Sequence, residues 1–342
     1  MAMSHWVAEG MAGSALRSSV LALAFLGFGV GGAANAQAPS PRAAPSFPTK
    51  PVRMIVPFPP GGATDVIARM LSQKLIEIWG HPVVLDYKPG AGTVVGTDAV
   101  AKSAADGYTT GMVITAHVIN PSLRSDLPFD TLKDLSGVSL VAVSHIVLVA
   151  TPSLEANSVA ELIDLAKRNP GKLAYATPGT GTAMHLAGEM LRTLAGIDIV
   201  HVPYKGGAPA YPDVISGRVP LQFDPMFASM PNIKSGKVKA LAITSPTRAR
   251  NAPEIPTVAE TVPGFSVVSI SGVVVPSATP RDIVGKLSAD INRALQTPDL
   301  AERMGQVGME PAGTTPEQFD ALIRAEIEKW AKVVKASGAK LD

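Results

Sequence analysis

The sequence predicts an α/β protein of two domains around a central cleft. Three observations carry this. Short β-rich runs alternate with helical periodicities, the pattern of largely parallel sheets. Gly-rich turns follow the strands. Two longer β-rich runs, Val138–Ala150 and Phe265–Val275, are placed to cross between domains. With both crossing, Pro48–Ala150 and Val262–Asp342 form one domain, and Thr151–Thr261 forms a second one inserted into it. The 342 residues suffice for two domains of ~100–200 residues each, and an apolar content of 46% can fill two cores.

The elements follow in chain order. Val52–Val56 is a strand stopped by Pro57-Phe58-Pro59-Pro60-Gly61-Gly62. A helix begins near Thr64, with Val66, Ile67, Met70, Leu71, Leu75 and Ile78 on one face, and Gly80 ends it. Val83–Asp86 and Thr109–Thr115 are the next strands. In the second domain the strands are Leu173–Ala176, Ile197–Val202 and Val219–Phe223, with a helix over His185–Leu194. Helix starts are marked by capping patterns: Ser158 with Glu161, Thr315 with Gln318, and the hydroxyls of Thr279 and Thr315 ahead of Pro280 and Pro316. The last helix runs to about Lys335, with Phe319, Leu322, Ile323, Ile327, Trp330 and Val334 on its apolar stripe.

Composition narrows the function classes. Charged residues are 17% and the net charge is +2, with no Lys/Arg block of the kind that marks nucleic-acid binding. Cysteine is absent, which removes disulfides, thiolate nucleophiles, Cys-zinc sites and a lipidated Cys anchor. Near the N-terminus, Arg17 precedes the apolar run Val20–Val30, too short to span a bilayer, and Ala34-Asn35-Ala36 is a small-x-small cleavage site. Residues 1–36 are therefore expected to be a signal peptide cleaved after Ala36. Residues 37–47, rich in Ala, Pro and Ser, are expected to be a disordered leader. Export past the inner membrane follows.

Four constellations carry candidate chemistry. The first is Phe58 to Asp65, with Gly61, Gly62, Ala63 and Thr64 between a strand and a helix. Glycine allows close approach of the backbone, and first-turn amides with the helix dipole favour an anion. An ordinary turn capped by Thr64 is the alternative. Asp65 complements the dipole and can also face a ligand's amine or a water. The second is Thr177-Pro178-Gly179-Thr180-Gly181-Thr182 with His185 at the helix start. Two such loops, one per domain and neither containing arginine, suggest a clamp that closes on an acid from both sides. His185 and Glu189 share a helix face, but no third ligand is suitably spaced for a metal. The third is His201-Val202-Pro203-Tyr204-Lys205-Gly206-Gly207-Ala208-Pro209, which follows a strand and opens a short helix; Tyr204 and Lys205 reach the cleft or form a solvated turn. The fourth is Asp224, an acid at a strand's carboxyl end, where clefts of α/β sheets lie. Gly90 to Gly96 has one residue too many for a dinucleotide fingerprint, with no acidic partner about 20 residues on. No GxSxG elbow or phosphate-binding GxxxxGK[ST] loop occurs. No cofactor, metal or catalytic residue is expected.

Taken together, ordered motifs from Pro48 to the C-terminus resemble the Bordetella uptake gene (Bug) family, substrate-binding proteins of tripartite tricarboxylate transporters. They are KPVRMIVPFPPGGATD (Lys50–Asp65), KPGAGTVVGTDAVAKSAADGYT (Lys88–Thr109), NPSLRSDLPFDTLKD (Asn120–Asp134), TPGTGTAMHLAGE (Thr177–Glu189), VPYKGGAPAYPDVISG (Val202–Gly217) and PEIPTVAETVPGF (Pro253–Phe265). The resemblance implies a two-lobed, Venus-flytrap binding protein of the periplasm, monomeric, that captures a small carboxylate and delivers it to membrane subunits of the transporter. A sensor feeding a membrane kinase and an exported enzyme acting on an acid are the alternatives. By resemblance the ligand is held by Phe58, Gly61–Asp65, Thr177, Gly179–Thr182, His185, Tyr204–Gly206 and Asp224, with Thr115 and His117 in a loop that borders the cleft. The sequence departs from the family at Thr177-Pro178, and at Ser271-Gly272, where Trp often precedes the glycine.

Overall fold

The computed structural model describes residues 47–204 and 206–337. The expected signal peptide and cleavage site, all of the leader but Phe47, and Lys205 lie outside these residues. Phe47 itself is buried, with its ring 4.9 Å from that of Tyr108 and 6.4 Å from that of Trp79. The leader expected to run to residue 47 therefore ends before this ring, which is anchored by its apolar contacts.

The chain begins with β1 (Val52–Val56), α1 (Ala63–Trp79), β2 (Val83–Tyr87), α2 (Val94–Ala101), β3 (Thr109–Ile114), α3 (Ala116–Leu123) and β4 (Leu135–Ser144). It continues with β5 (Ile146–Ala150), α4 (Val159–Arg168), β6 (Leu173–Thr177), α5 (Ala183–Ala195), β7 (Ile199–Pro203), α6 (Tyr211–Ile215), β8 (Leu221–Pro225), α7 (Met226–Lys234) and β9 (Lys239–Ile243). It closes with β10 (Ser269–Pro276), α8 (Arg281–Leu295), α9 (Pro298–Gln306), β11 (Met309–Pro311) and α10 (Pro316–Ser337). One sheet has the order β11-β4-β10-β3-β1-β2 and the other β7-β6-β8-β5-β9. The first expected crossover run is thus two strands in different sheets. The chain changes sheet at His145, five residues before the boundary expected at Ala150.

The sheets are mixed rather than largely parallel, and the crossovers explain why. β5 runs antiparallel to β8 and β9, and β10 runs antiparallel to β3 and β4. A strand that receives the chain from the other lobe enters at the end where its neighbours leave. The register shows this: Ile146 lies beside Pro225 and Val147 beside Ile243, while Ser269 lies beside Ser144 and Ser271 beside Ile114. β1 and β2 are parallel to β3, and β6 and β7 are parallel to β8. The carboxyl ends of β1–β4 and β6–β9 therefore all lie at the crossover end of their sheets. That is where an α/β sheet places its ligand.

Local signals worked unevenly. Gly80 ends α1 in the left-handed region (φ 66°), as expected of glycine there. Thr315 and Gln318 form a reciprocal capping box at the start of α10. Ser158 accepts from Glu161 N, but Glu161 reaches Asn157 N instead of closing the box. Thr279 does not cap α8: Pro280 occupies the N-cap position, and the buried Thr279 hydroxyl has no protein partner. α10 packs on α3 and β4 of the first lobe and on α5 of the second, with Phe319 and Trp330 fully buried. At Gly272, where the family often carries Trp one residue earlier, a Cβ would lie 2.2 Å from the Phe319 ring. The glycine makes room for α10 on the crossover strand.

Candidate functional site

At the β1–α1 junction, the N-cap of α1 is Gly62, not Thr64. Thr64 is buried inside the first turn. Glycine supplies no side-chain acceptor, so the first-turn amides of Ala63, Thr64 and Asp65 are left without a side-chain cap. Gly61 and Gly62 are exposed, and added Cβ atoms would meet nothing within 4 Å. Asp65 is engaged from below. Its carboxylate accepts from Gly61 N at 2.7 Å, Arg69 Nε at 3.0 Å and the Tyr87 hydroxyl at 2.6 Å. Burial opposes its ionisation, but the bonds from Tyr87, Gly61 and Arg69 outweigh it and hold the carboxyl below its ordinary value. Asp65 thus organises the loop rather than standing open to a ligand. Arg69, one turn further along, is the cation that inspection of the loop alone missed.

At the β6–α5 junction the hydroxyls face inward. Thr182 is the N-cap of α5: its Oγ1 accepts from His185 N at 3.2 Å and donates to Gly179 O at 2.8 Å. Thr177 is fully buried and bonds His201 Nε2 at 2.7 Å. Gly179 (φ 151°) and Gly181 (φ 77°) carry the turn in backbone that favours glycine. Gly181 N donates to His185 Nδ1 at 3.2 Å, so the neutral His185 ring keeps its proton on Nε2. The rings of His185 and His201 stack at 4.0 Å. Burial lowers the proton affinity of both; His201, beside His185 as well, falls to about 4. The junction therefore presents uncharged groups and first-turn amides. Glu189 is held by the Tyr175 hydroxyl at 2.7 Å and by Arg192, not by His185. Thr182→Val should cost about 1 kcal/mol of stability through the lost cap, measured by urea denaturation. An unchanged midpoint would show that the cap contributes nothing.

The β7 loop is tied to this junction. Tyr204 N donates to Thr177 O and Gly206 N donates to Pro178 O, both at 3.0 Å. The Tyr204 hydroxyl is turned to Asp213 at 2.7 Å. Asp224, at the end of β8, is 1% exposed and lies beneath this loop. Tyr211 donates to its Oδ2 at 3.0 Å, and Oδ1 lies 2.1 Å from where a Cβ on Gly207 would be. Burial pushes its carboxyl up to about 7, against the bonds from Tyr211, Ser229 and Gln222.

At the start of α3, just past β3, Thr115 Oγ1 accepts from Ile270 N at 2.9 Å and so is joined to the returning crossover. His117 is turned away. Its ring lines a cavity of ≈ 70 Å³ with Thr131, Leu135, Gly137, Val274 and Asp320, near the start of β4, opposite the crossover end. Neither ring nitrogen has a partner among the described residues, and burial lowers its pKa from 6.5 to about 4. The native state then binds fewer protons than the unfolded chain between these values. His117 stabilises fully above 6.5, and this is lost as pH falls towards 4, amounting to roughly 3 kcal/mol. Urea titrations at several pH values should show this fall in wild type and a shallower one in His117→Leu. Equal slopes would remove His117 as its source.

Comparison with known proteins decides the family. The model of the tripartite tricarboxylate transporter family receptor, TctC, matches residues 67–339. The chain belongs to that family. It is 40% identical to Protein BugT of Bordetella pertussis over 311 residues, covering 90% of this chain and 95% of that one. Rpa4515 of R. palustris, solved with adipate, matches at 35% identity and TM-score 0.75, over 86% of this chain and 100% of the other. The periplasmic binding protein BugD matches at 34% identity and TM-score 0.71, over 86% and 99%. The two lobes are those of a periplasmic solute-binding receptor. Arg69 on α1 and Tyr87 at the end of β2 are residues that sequence reading missed, and it did not foresee the bond of His201 on β7 to Thr177. Arg69 lies one helical turn from Asp65, whereas the pairing of β1 with β2 brings in Tyr87 and that of β6 with β7 brings in His201.

Proposed function

We propose that this receptor captures a small carboxylate, holding one carboxylate group between the first turn of α1 and the loop from Thr177 to Thr182. The observation that carries the proposal is the pair of Gly-rich strand-to-helix junctions at the crossover ends of both sheets, with α1 left uncapped by Gly62. Backbone amides and the helix dipole provide the anion's partners, so no arginine is required in direct contact. Phe58, Tyr204 and Gly206 border the site, and Asp65 and Asp224 hold its loops from beneath. The solved relative with adipate supports the ligand class. Export with cleavage after Ala36, monomeric action in the periplasm, delivery to membrane subunits of the transporter and absence of turnover complete the proposal.

A thermal-shift series with adipate, malate, glutamate, benzoate, glucose and AMP tests it. An acid at about 100 times its Kd should stabilise by about 2.7 kcal/mol. Stabilisation by glucose or AMP and by none of the acids would overturn the ligand class.

A further inference from the structure

The two segments that cross between the lobes meet at one side chain. His145 is the residue between β4 and β5, and it is 7% exposed. Its carbonyl accepts from Met226 N, at the start of α7 in the second lobe, at 2.9 Å. Its ring reaches in two directions. Nδ1 lies 2.9 Å from Ser245 Oγ, just past β9 where the chain starts back. Nε2 lies 3.1 Å from Glu310 Oε1, on β11 at the edge of the first sheet. One ring thus joins the outgoing segment, the returning segment and the first lobe.

The partners determine the protons on this ring. Ser245 Oγ has one proton, and it donates that proton to Thr247 O at 2.8 Å. Toward His145 it therefore accepts, and Nδ1 carries a proton. The bond from His145 outweighs burial and, with Arg250 nearby, holds the Glu310 carboxyl below its ordinary value. An ionised carboxylate only accepts, so Nε2 carries a proton as well. A neutral imidazole would turn a lone pair against Ser245 or against Glu310. The groups facing the ring are Ser245 from the returning segment and Glu310 from β11, with Arg250 acting on Glu310.

We propose that His145 is a positioning residue that braces the two lobes, as an imidazolium that donates to both Ser245 and Glu310. Opening or closing the cleft turns the lobes about these crossing segments. A tie that holds one relative setting biases that equilibrium, and with it the apparent affinity of whatever the cleft takes.

Two measurements on the full, ligand-free chain test this. In ¹⁵N spectra both His145 ring nitrogens should carry protons, as two acceptor partners require, and a singly protonated ring would overturn the proposal. The chain has no cysteine, so spin labels at Ile76→Cys on α1 and Ile215→Cys on α6, 41% and 39% exposed, report the interlobe distance. The wild-type distribution should be narrow. Glu310→Gln should stay narrow, because its amide oxygen still accepts from Nε2. His145→Ala should be broader or shifted. A His145→Ala distribution that matches wild type would overturn the brace. Failure to bind adipate leaves both readouts intact and counts only against the carboxylate proposal.

Discussion

Gly62→Asp is expected to bind its carboxylate ligand about 100-fold more weakly while unfolding at a slightly higher temperature. The position tolerates a side chain: φ is −86° and ψ 173°, and an added Cβ meets nothing within 4 Å. An N-cap carboxylate there accepts from the amides of Thr64 or Asp65, stabilising α1 by a few tenths of a kcal/mol relative to glycine. It occupies the donors proposed to hold the ligand and places a like charge beside it. Losing two charge-assisted hydrogen bonds at 1.5–3 kcal/mol each amounts to a factor of at least ~100. Calorimetric titration with adipate, paired with thermal unfolding, reads both effects. Gly285→Asp, at an equally open glycine on α8, is the control. Undiminished affinity in Gly62→Asp would remove the α1 terminus from the site.

Gly188→Ala is expected to destabilise the second lobe by about 3 kcal/mol and to weaken ligand binding besides. The new Cβ would lie 2.2 Å from Tyr175 Cε2 and 2.4 Å from Cζ. That ring has nowhere to move. It is fully buried, held by Glu189 at 2.7 Å, and set edge-on to Phe223 at 5.7 Å. Its other face lies 5.1 Å from His201, which bonds Thr177 in the ligand loop. Displacement of Tyr175 is therefore passed to the β6–α5 junction. Denaturant unfolding with an unchanged slope and a lower midpoint is the expected result. Adding Tyr175→Leu should recover part of the stability, because the two sites share the volume. If Gly188→Ala unfolds like wild type, the close packing of Tyr175 on α5 is not what the structure shows.

Much of this receptor is written locally. Hydrophobic periodicity located β1, α1 and α10 to within a residue or two, because whether a segment can bury one face depends on its own spacing. The Gly-rich loops were legible for the same reason: a turn and an uncapped helix start are properties of a few adjacent residues. Strand direction was not. β5 and β10 read like any other strand, and they run against their neighbours only because the chain arrives from the other lobe. Side-chain roles divided along the same line. Asp65 was recognised, but its partner Tyr87 comes from 22 residues away through the pairing of β1 with β2. Thr182 and Thr177 carry hydroxyls that suggest a ligand, yet packing turned one into a cap and the other toward His201. His117 sits beside Thr115 in the chain but faces a cavity opposite the crossover end. His145 meets Ser245 and Glu310 across 100 and 165 residues. Segment type follows from short-range order along the chain. Which polar group meets which is decided by long-range packing, since buried donors and acceptors must find partners wherever the fold brings them.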